Sequence, residues 1–211
     1  MVDQLQQGIV IISFLLPVTA LYIQGQAFPV PSIKGIGIQS SVVALLSTVL
    51  GIVYKQEDLL VLGGIIILTR SLLTPMVLLR VAKFRNWERE KIRGITSTFV
   101  LNTVFFFSAS LVITFLVLSR VFPGVNVVEI SVPFILFFQG MFLIASRKST
   151  VAHILGYVEL ENALVALGIF LIPPPLLIDV TVFLDVLALV VISSIVIVEK
   201  REHEPMEELM G

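Results

Sequence analysis

Long runs of apolar residues recur along this 211-residue chain, and no other feature constrains its fold as strongly. A bilayer's hydrocarbon core is about 30 Å thick, and a helix needs about 20 apolar residues to cross it. Without water in that core, each segment must satisfy its own backbone hydrogen bonds, which selects helices. Seven such runs can be placed, at roughly 7–24, 34–54, 59–82, 95–120, 126–146, 150–172 and 176–198. At 57% hydrophobic and 14% charged, the chain is too apolar for a soluble domain of this size. The expected fold is all-α: a polytopic membrane bundle of about seven transmembrane helices, one domain over 1–199, with a short acidic cytoplasmic tail over 200–211.

The breaks between runs carry their own signals. "AFPVPSIKG" combines two prolines, a lysine and a glycine and reads as a loop. "YKQED" reads as a tight polar turn, and "KFRNWEREKIRG" (83–94) as a strongly basic loop. "PPP" (173–175) cannot continue a helix with normal hydrogen bonding and forces a turn between the last two spans. The first run lacks a basic cluster before it and is read as a retained helix rather than a cleaved signal.

Lysine and arginine distribution predicts orientation. Eleven of the fourteen lie on one predicted side: Lys34, Arg80, Lys83, Arg85, Arg89, Lys91, Arg93, Arg147, Lys148, Lys200 and Arg201. Lys55 and Arg120 lie on the other, and Arg70 falls within a span. This bias predicts the N-terminus outside and the C-terminus in the cytoplasm. Trp87, Tyr22 and Tyr54 lie near predicted span ends, where interfacial aromatics concentrate. The tail "EKREHEPMEELMG" reads as a solvated end, or as a short amphipathic helix presenting Met206, Leu209 and Met210 to a cytoplasmic partner.

Composition also excludes chemistries. The chain has no cysteine, so it offers no disulfide, thiolate zinc site, iron–sulfur ligation or thiol nucleophile. Its two histidines, His153 and His203, are too few for a metal centre of their own. A net charge of −1 gives no basis for nucleic-acid binding. There is no nucleotide loop and no nucleophile motif, so no catalytic residues are expected.

The charges inside the runs are the candidate functional groups, because intramembrane ionisable residues are expensive. Arg70, Glu161 and Asp185 each lie roughly 14–17 Å into their spans at 1.5 Å per residue, near the bilayer midplane. Glu159 is nearly as deep, and Asp179 lies closer to the outer end of the last span. Glu161 precedes Pro174 by 13 residues and Asp185 follows it by 11, so a hairpin would bring them to one depth. Two facing carboxylates would share a proton. Glu159 and Glu161, about 200° apart on a helix, must face different neighbours. His153 lies about 80° from Glu161, nearer the cytoplasm, and could feed protons toward it. Thr69, Ser71 and Thr74 flank Arg70, and Pro75 is expected to kink that helix. Thr98, Asn102, Thr103, Ser108, Ser110, Gln139 and Asn162 are further candidates to line a hydrated path. The competing expectation is structural: an Arg–Glu pair that fixes packing, hydroxyls that serve helix contacts, an Asp179 that snorkels outward, and glycines (Gly63, Gly64, Gly140) that permit close approach.

"SRKSTVAHILGYVELENALVALG", a hairpin and "LIDVTVFLDVLALVVI" together resemble component E of the formate-hydrogenlyase-type membrane hydrogenases (HyfE). The shared pattern is a G-Y-x-x-x-E-N box, an acid early in the last helix and an Asp six residues on. Here these are Gly156, Tyr157, Glu161, Asn162, Asp179 and Asp185. Upstream, "QSSVVALLSTVLGIVYKQEDLLVLGGIIILTRSLLTPMVLL" also resembles that family. Segment 95–145 is similar only in hydropathy. The family is similar to the NuoK-like subunit of respiratory complex I. The resemblance implies a membrane-arm subunit in the plasma membrane of a prokaryote, bound to antiporter-like subunits and a peripheral oxidoreductase arm. Nickel–iron and iron–sulfur centres would belong to those partners and not to this chain, which would carry protons or sodium ions, or transmit their coupling. Three features depart from the family: arginine at 70 where lysine is usual, aspartate at 179 where glutamate is frequent, and Glu159, which is outside the pattern. Arg70 cannot relay a proton, since guanidinium does not deprotonate in proteins. A freestanding secondary transporter and a purely structural anchor of a redox module remain the alternatives; against the first, no internal repeat is evident.

Overall fold

The structure, a computed structural model, describes residues 2–84, 96–121, 127–147 and 149–201. These are all helical apart from short turns. α1 is Val2–Gly25 and α2 is Pro29–Tyr54. α3 runs as Glu57–Ile66, a π-helical segment Ile67–Leu73, and Thr74–Phe84. α4 runs as Thr96–Ile113, a π-helical segment Thr114–Leu118, and Ser119–Val121. α5 is Val127–Ser146, α6 Thr150–Leu171 and α7 Pro174–Arg201. Among the described residues, five stretches are long and apolar enough to cross a membrane: Gln7–Gly25, Pro29–Tyr54, Glu57–Arg80, Thr150–Leu171 and Pro174–Ser194. Val104–Val117 and Ile130–Ser146 are shorter apolar helices. Phe14, Ile38, Leu68, Phe105 and Phe183 point outward and are exposed. An apolar exterior around an apolar helical bundle is the architecture of a multi-pass membrane protein.

Local sequence explains the turns. The "AFPVPSIKG" stretch is mostly helix and not a loop: only residues 26–28 are non-helical, and α2 opens at Pro29. Proline suits a helix's first turn, where its missing N–H has no acceptor to lose. Lys55 ends α2 in the left-handed region, φ 53°, with its N–H on Gly51 O. Ser149 caps α6, its hydroxyl accepting from Ala152 N–H at 3.1 Å. The proline run makes the expected hairpin: α6 ends at Leu171 and α7 starts at Pro174.

α2 and α6 form the centre. α1 and α3 pack on α2, α5 and α7 on α6, and α4 packs chiefly on α5 at the periphery. Small residues set the close approaches. A Cβ on Gly156 would lie 2.9 Å from Gly140 O, so α5 and α6 meet backbone to backbone. A Cβ on Gly63 would lie 2.5 Å from Thr48 Oγ1 of α2. Gly64, by contrast, has open space beside it and permits no contact. Gly168 of α6 has the Leu177 side chain of α7 where a Cβ would go.

Lys83 lies on α3 rather than in a loop, and α7 continues through Lys200 and Arg201 into what sequence assigned to the tail. The remainder of the basic loop (85–94) with Trp87, Lys148, and the tail with His203, Met206, Leu209 and Met210 lie outside the described residues.

Candidate functional site

Arg70 is the largest fully buried side chain in the bundle, at 1% exposure. It sits in the π-helical segment of α3, where each turn holds an extra residue and hydrogen bonds run i to i−5. Both the N–H and the hydroxyl of Thr74 accordingly bond to Thr69 O, the hydroxyl at 3.0 Å. Pro75 follows directly. The irregularity expected at Pro75 thus coincides with a π-helical segment just upstream of it. The proline ring packs on α2, since a Cβ on Gly37 would meet Pro75 Cγ at 3.0 Å.

Two carboxylates converge on Arg70. Its Nε donates to Asp185 Oδ1 of α7 at 2.5 Å and lies 3.9 Å from Glu161 Oε2 of α6. Asp185 Oδ2 accepts from the Thr69 hydroxyl at 2.6 Å. The same hydroxyl lies 2.9 Å from Ile65 O, so it has a second acceptor within its own helix. Tyr157, one turn before Glu161, turns its hydroxyl toward that carboxylate. Glu161 and Asp185 are 2% and 6% exposed. The equal depth deduced from the proline hairpin is therefore realised, with one guanidinium between two acids. Such a group carries a net charge of −1 when both acids are ionised and is neutral once either takes a proton. The terminal nitrogens Nη1 and Nη2 have no hydrogen-bond partner among the described residues. Nε alone therefore carries the described contacts of Arg70 to the two acids.

Glu159 lies on the opposite side of α6. It is 0% exposed and faces Gln39 of α2. Gln39 Oε1 accepts from Asn162 Nδ2 at 3.1 Å, and Asn162 Nδ2 also reaches Ser40 Oγ at 3.0 Å. Glu159 and Asn162 (i, i+3) thus share the α2 face, while Tyr157 and Glu161 (i, i+4) share the face toward Arg70.

The remaining candidates separate from this site. Asp179 is exposed near the start of α7, roughly 9 Å along the axis from Asp185. His153 is exposed at the start of α6, with Nε2 3.0 Å from Arg147 O, and it makes no contact with Glu161. Ser71 bonds to α2, through Gly37 O at 3.1 Å and Ser41 Oγ at 2.6 Å, not to the acids. Of the described candidates on α4, Ser110 donates to Phe107 O of its own helix and Ser108 points outward, and α4 packs mainly on α5. The side chains of Thr98, Asn102 and Thr103 fall outside those described. Gln139 pairs with Gln24 of α1 at 2.6 Å instead of joining Arg70.

A second polar cluster was not foreseen. Arg147, in the α5–α6 turn, donates through Nη2 to Gln24 O at 2.5 Å and Gln26 O at 2.8 Å, tying this turn to the end of α1. Sequence reading counted Arg147 as a loop charge; it is 3% exposed and acts as a clamp. These bonds place Arg147 at the same end of the bundle as Gln24 and Gln26. Gln39, the first residue of the upstream segment that resembles the family, had no role assigned from sequence.

Among the described residues, no group of three or more His, Asp or Glu side chains is arranged to hold a metal ion. Compared with protein-family models, curated proteins and solved structures, the chain matches none.

Proposed function

We propose that this chain is a non-catalytic integral membrane subunit of a complex-I-like, [NiFe]-hydrogenase-type oxidoreductase complex. It would contribute to translocation of protons, or of sodium ions, through its buried acids. One observation carries the reading: Arg70, Glu161 and Asp185, from three helices, meet at the predicted midplane, one cation between two acids. Intramembrane ionisable groups that face a bundle interior mark ion pathways. The Gly-Tyr-x-x-x-Glu-Asn box with its downstream aspartates, similar to the HyfE pattern, supplies the context of the complex. In this reading seven helices cross the plasma membrane of a prokaryote, with the N-terminus outside. Antiporter-like subunits flank the chain, and a peripheral arm holds the metal centres. Glu161 is the proton-accepting group, Asp185 its partner and Arg70 the fixed charge between them.

Gentle affinity purification from native membranes, with partner identification and nickel and iron analysis, tests the setting. Antiporter-like subunits with nickel and iron–sulfur proteins are the expected result; a chain that elutes alone and metal-free overturns it. Within the intact complex, Glu161→Gln should lower ion pumping more than electron transfer. The short Arg70–Asp185 contact favours a second reading, in which the group only pins α3 to α7. That reading predicts impaired assembly with coupling unchanged in whatever complex remains.

A further inference from the structure

Glu159 is the buried charge that neither the ion-pair group nor the motif uses. Its side chain is 0% exposed, and neither Oε1 nor Oε2 has a hydrogen-bond partner among the described residues. Gln39, also 0% exposed, faces it across the α2–α6 contact. The Gln39 amide is oriented by Asn162: Oε1 accepts from Asn162 Nδ2, which leaves the Nε2 donors, otherwise without a partner, for the other side.

We propose that Glu159 and Gln39 form a proton-binding site of their own, in which the carboxyl is held neutral and separate from the Arg70 group. The surrounding elements support this. From α2, Gln39 and Ser40 are buried and neutral, and Lys34 is exposed. From α5, Gln139 is engaged with Gln24. From α7, Asp185 is bound by Arg70 and Thr69, Thr181 donates to Leu177 O, and Asp179 is exposed. Arg70 of α3 lies with Glu161 on the other face of α6. An ionised carboxylate with no counter-charge is far more costly in such a place than a neutral acid. The donor face of Gln39 also argues against a metal cation, which needs oxygen acceptors. The ligand is therefore a proton, and α6 carries two acids with different partners: Glu161 beside an arginine and a second acid, Glu159 beside an amide.

The inference rests on the transmembrane reading of the bundle, not on the partner complex, and its test needs no pumping assay. Infrared difference spectra between the wild-type full chain and Glu159→Gln, purified with any native partners at pH 7, read the protonation state directly. The expected result is loss of one deuterium-sensitive protonated-carboxyl C=O stretch in Glu159→Gln. The band should shift but persist in Glu159→Asp, be retained in Glu161→Gln, and be the same in sodium and potassium. Loss of carboxylate bands instead would overturn the proposal. A protonated band abolished by sodium would overturn it in favour of a cation site.

Discussion

The two faces of α6 solve one problem in opposite ways. Toward α3 and α7, Glu161 meets a guanidinium and a second acid. Toward α2, Glu159 meets neutral amides. Both acids are nearly inaccessible, at 2% and 0% exposure. Burial alone therefore does not distinguish them; the neighbour's charge does. Beside Arg70 a cation offsets part of the acids' charge, whereas a carboxylate beside Gln39 has no counter-charge. Two residues of separation on a helix suffice to place them in unlike surroundings.

Substitutions can break this contrast in graded steps. Arg70→Met should have the largest effect, about 3–5 kcal/mol of destabilisation, because it strands buried acids without a counter-charge. Thermal unfolding or yield of folded protein would show it, and a near-neutral result would mean the acids are already protonated. Gly156→Leu should follow at about 1–3 kcal/mol or more, since any side chain there drives α6 from Gly140 O of α5. Arg147→Ala, which removes two charge-assisted bonds to Gln24 O and Gln26 O, should cost about 1.5–3 kcal/mol. It should also loosen α1 selectively, readable by hydrogen exchange. Asp185→Asn should destabilise more than Glu161→Gln, because Asp185 is 2.5 Å from Arg70 and Glu161 3.9 Å. Equal losses would mean that Arg70 divides its time between them. Glu159→Gln should be the mildest, within about 0.5 kcal/mol, because an amide closely replaces a neutral carboxyl. A large loss there would show that Glu159 works as an anion and would erase the difference between the two faces.

Much of the bundle was legible beforehand because membrane helices announce themselves by length and composition. The runs at 150–172 and 176–198 differ from α6 and α7 by only a few residues at either end. The hairpin at the proline run placed Glu161 and Asp185 at one depth, since rise per residue is fixed. The exception at Pro29 and Pro31 arose because proline breaks a helix interior yet opens a helix well, and composition does not separate the two. The supposed path through Ser110 and Gln139 failed for another reason. A hydroxyl or amide can be satisfied by its own helix or by any neighbour, and sequence does not say which.

What the sequence determined by itself was one-dimensional: where helices run, how deep each charge lies, and that Glu159 and Glu161 point apart. Those follow from a fixed rise and a fixed rotation per residue. Only the tertiary structure decided which partner each charge meets: Arg70 with Asp185 and Glu161, Glu159 with Gln39, and Arg147 with the end of α1. Partner choice depends on which helices adjoin, and how closely. Closeness is set in part by small residues such as Gly63, Gly140, Gly156 and Gly168, each packed tightly against an adjoining helix.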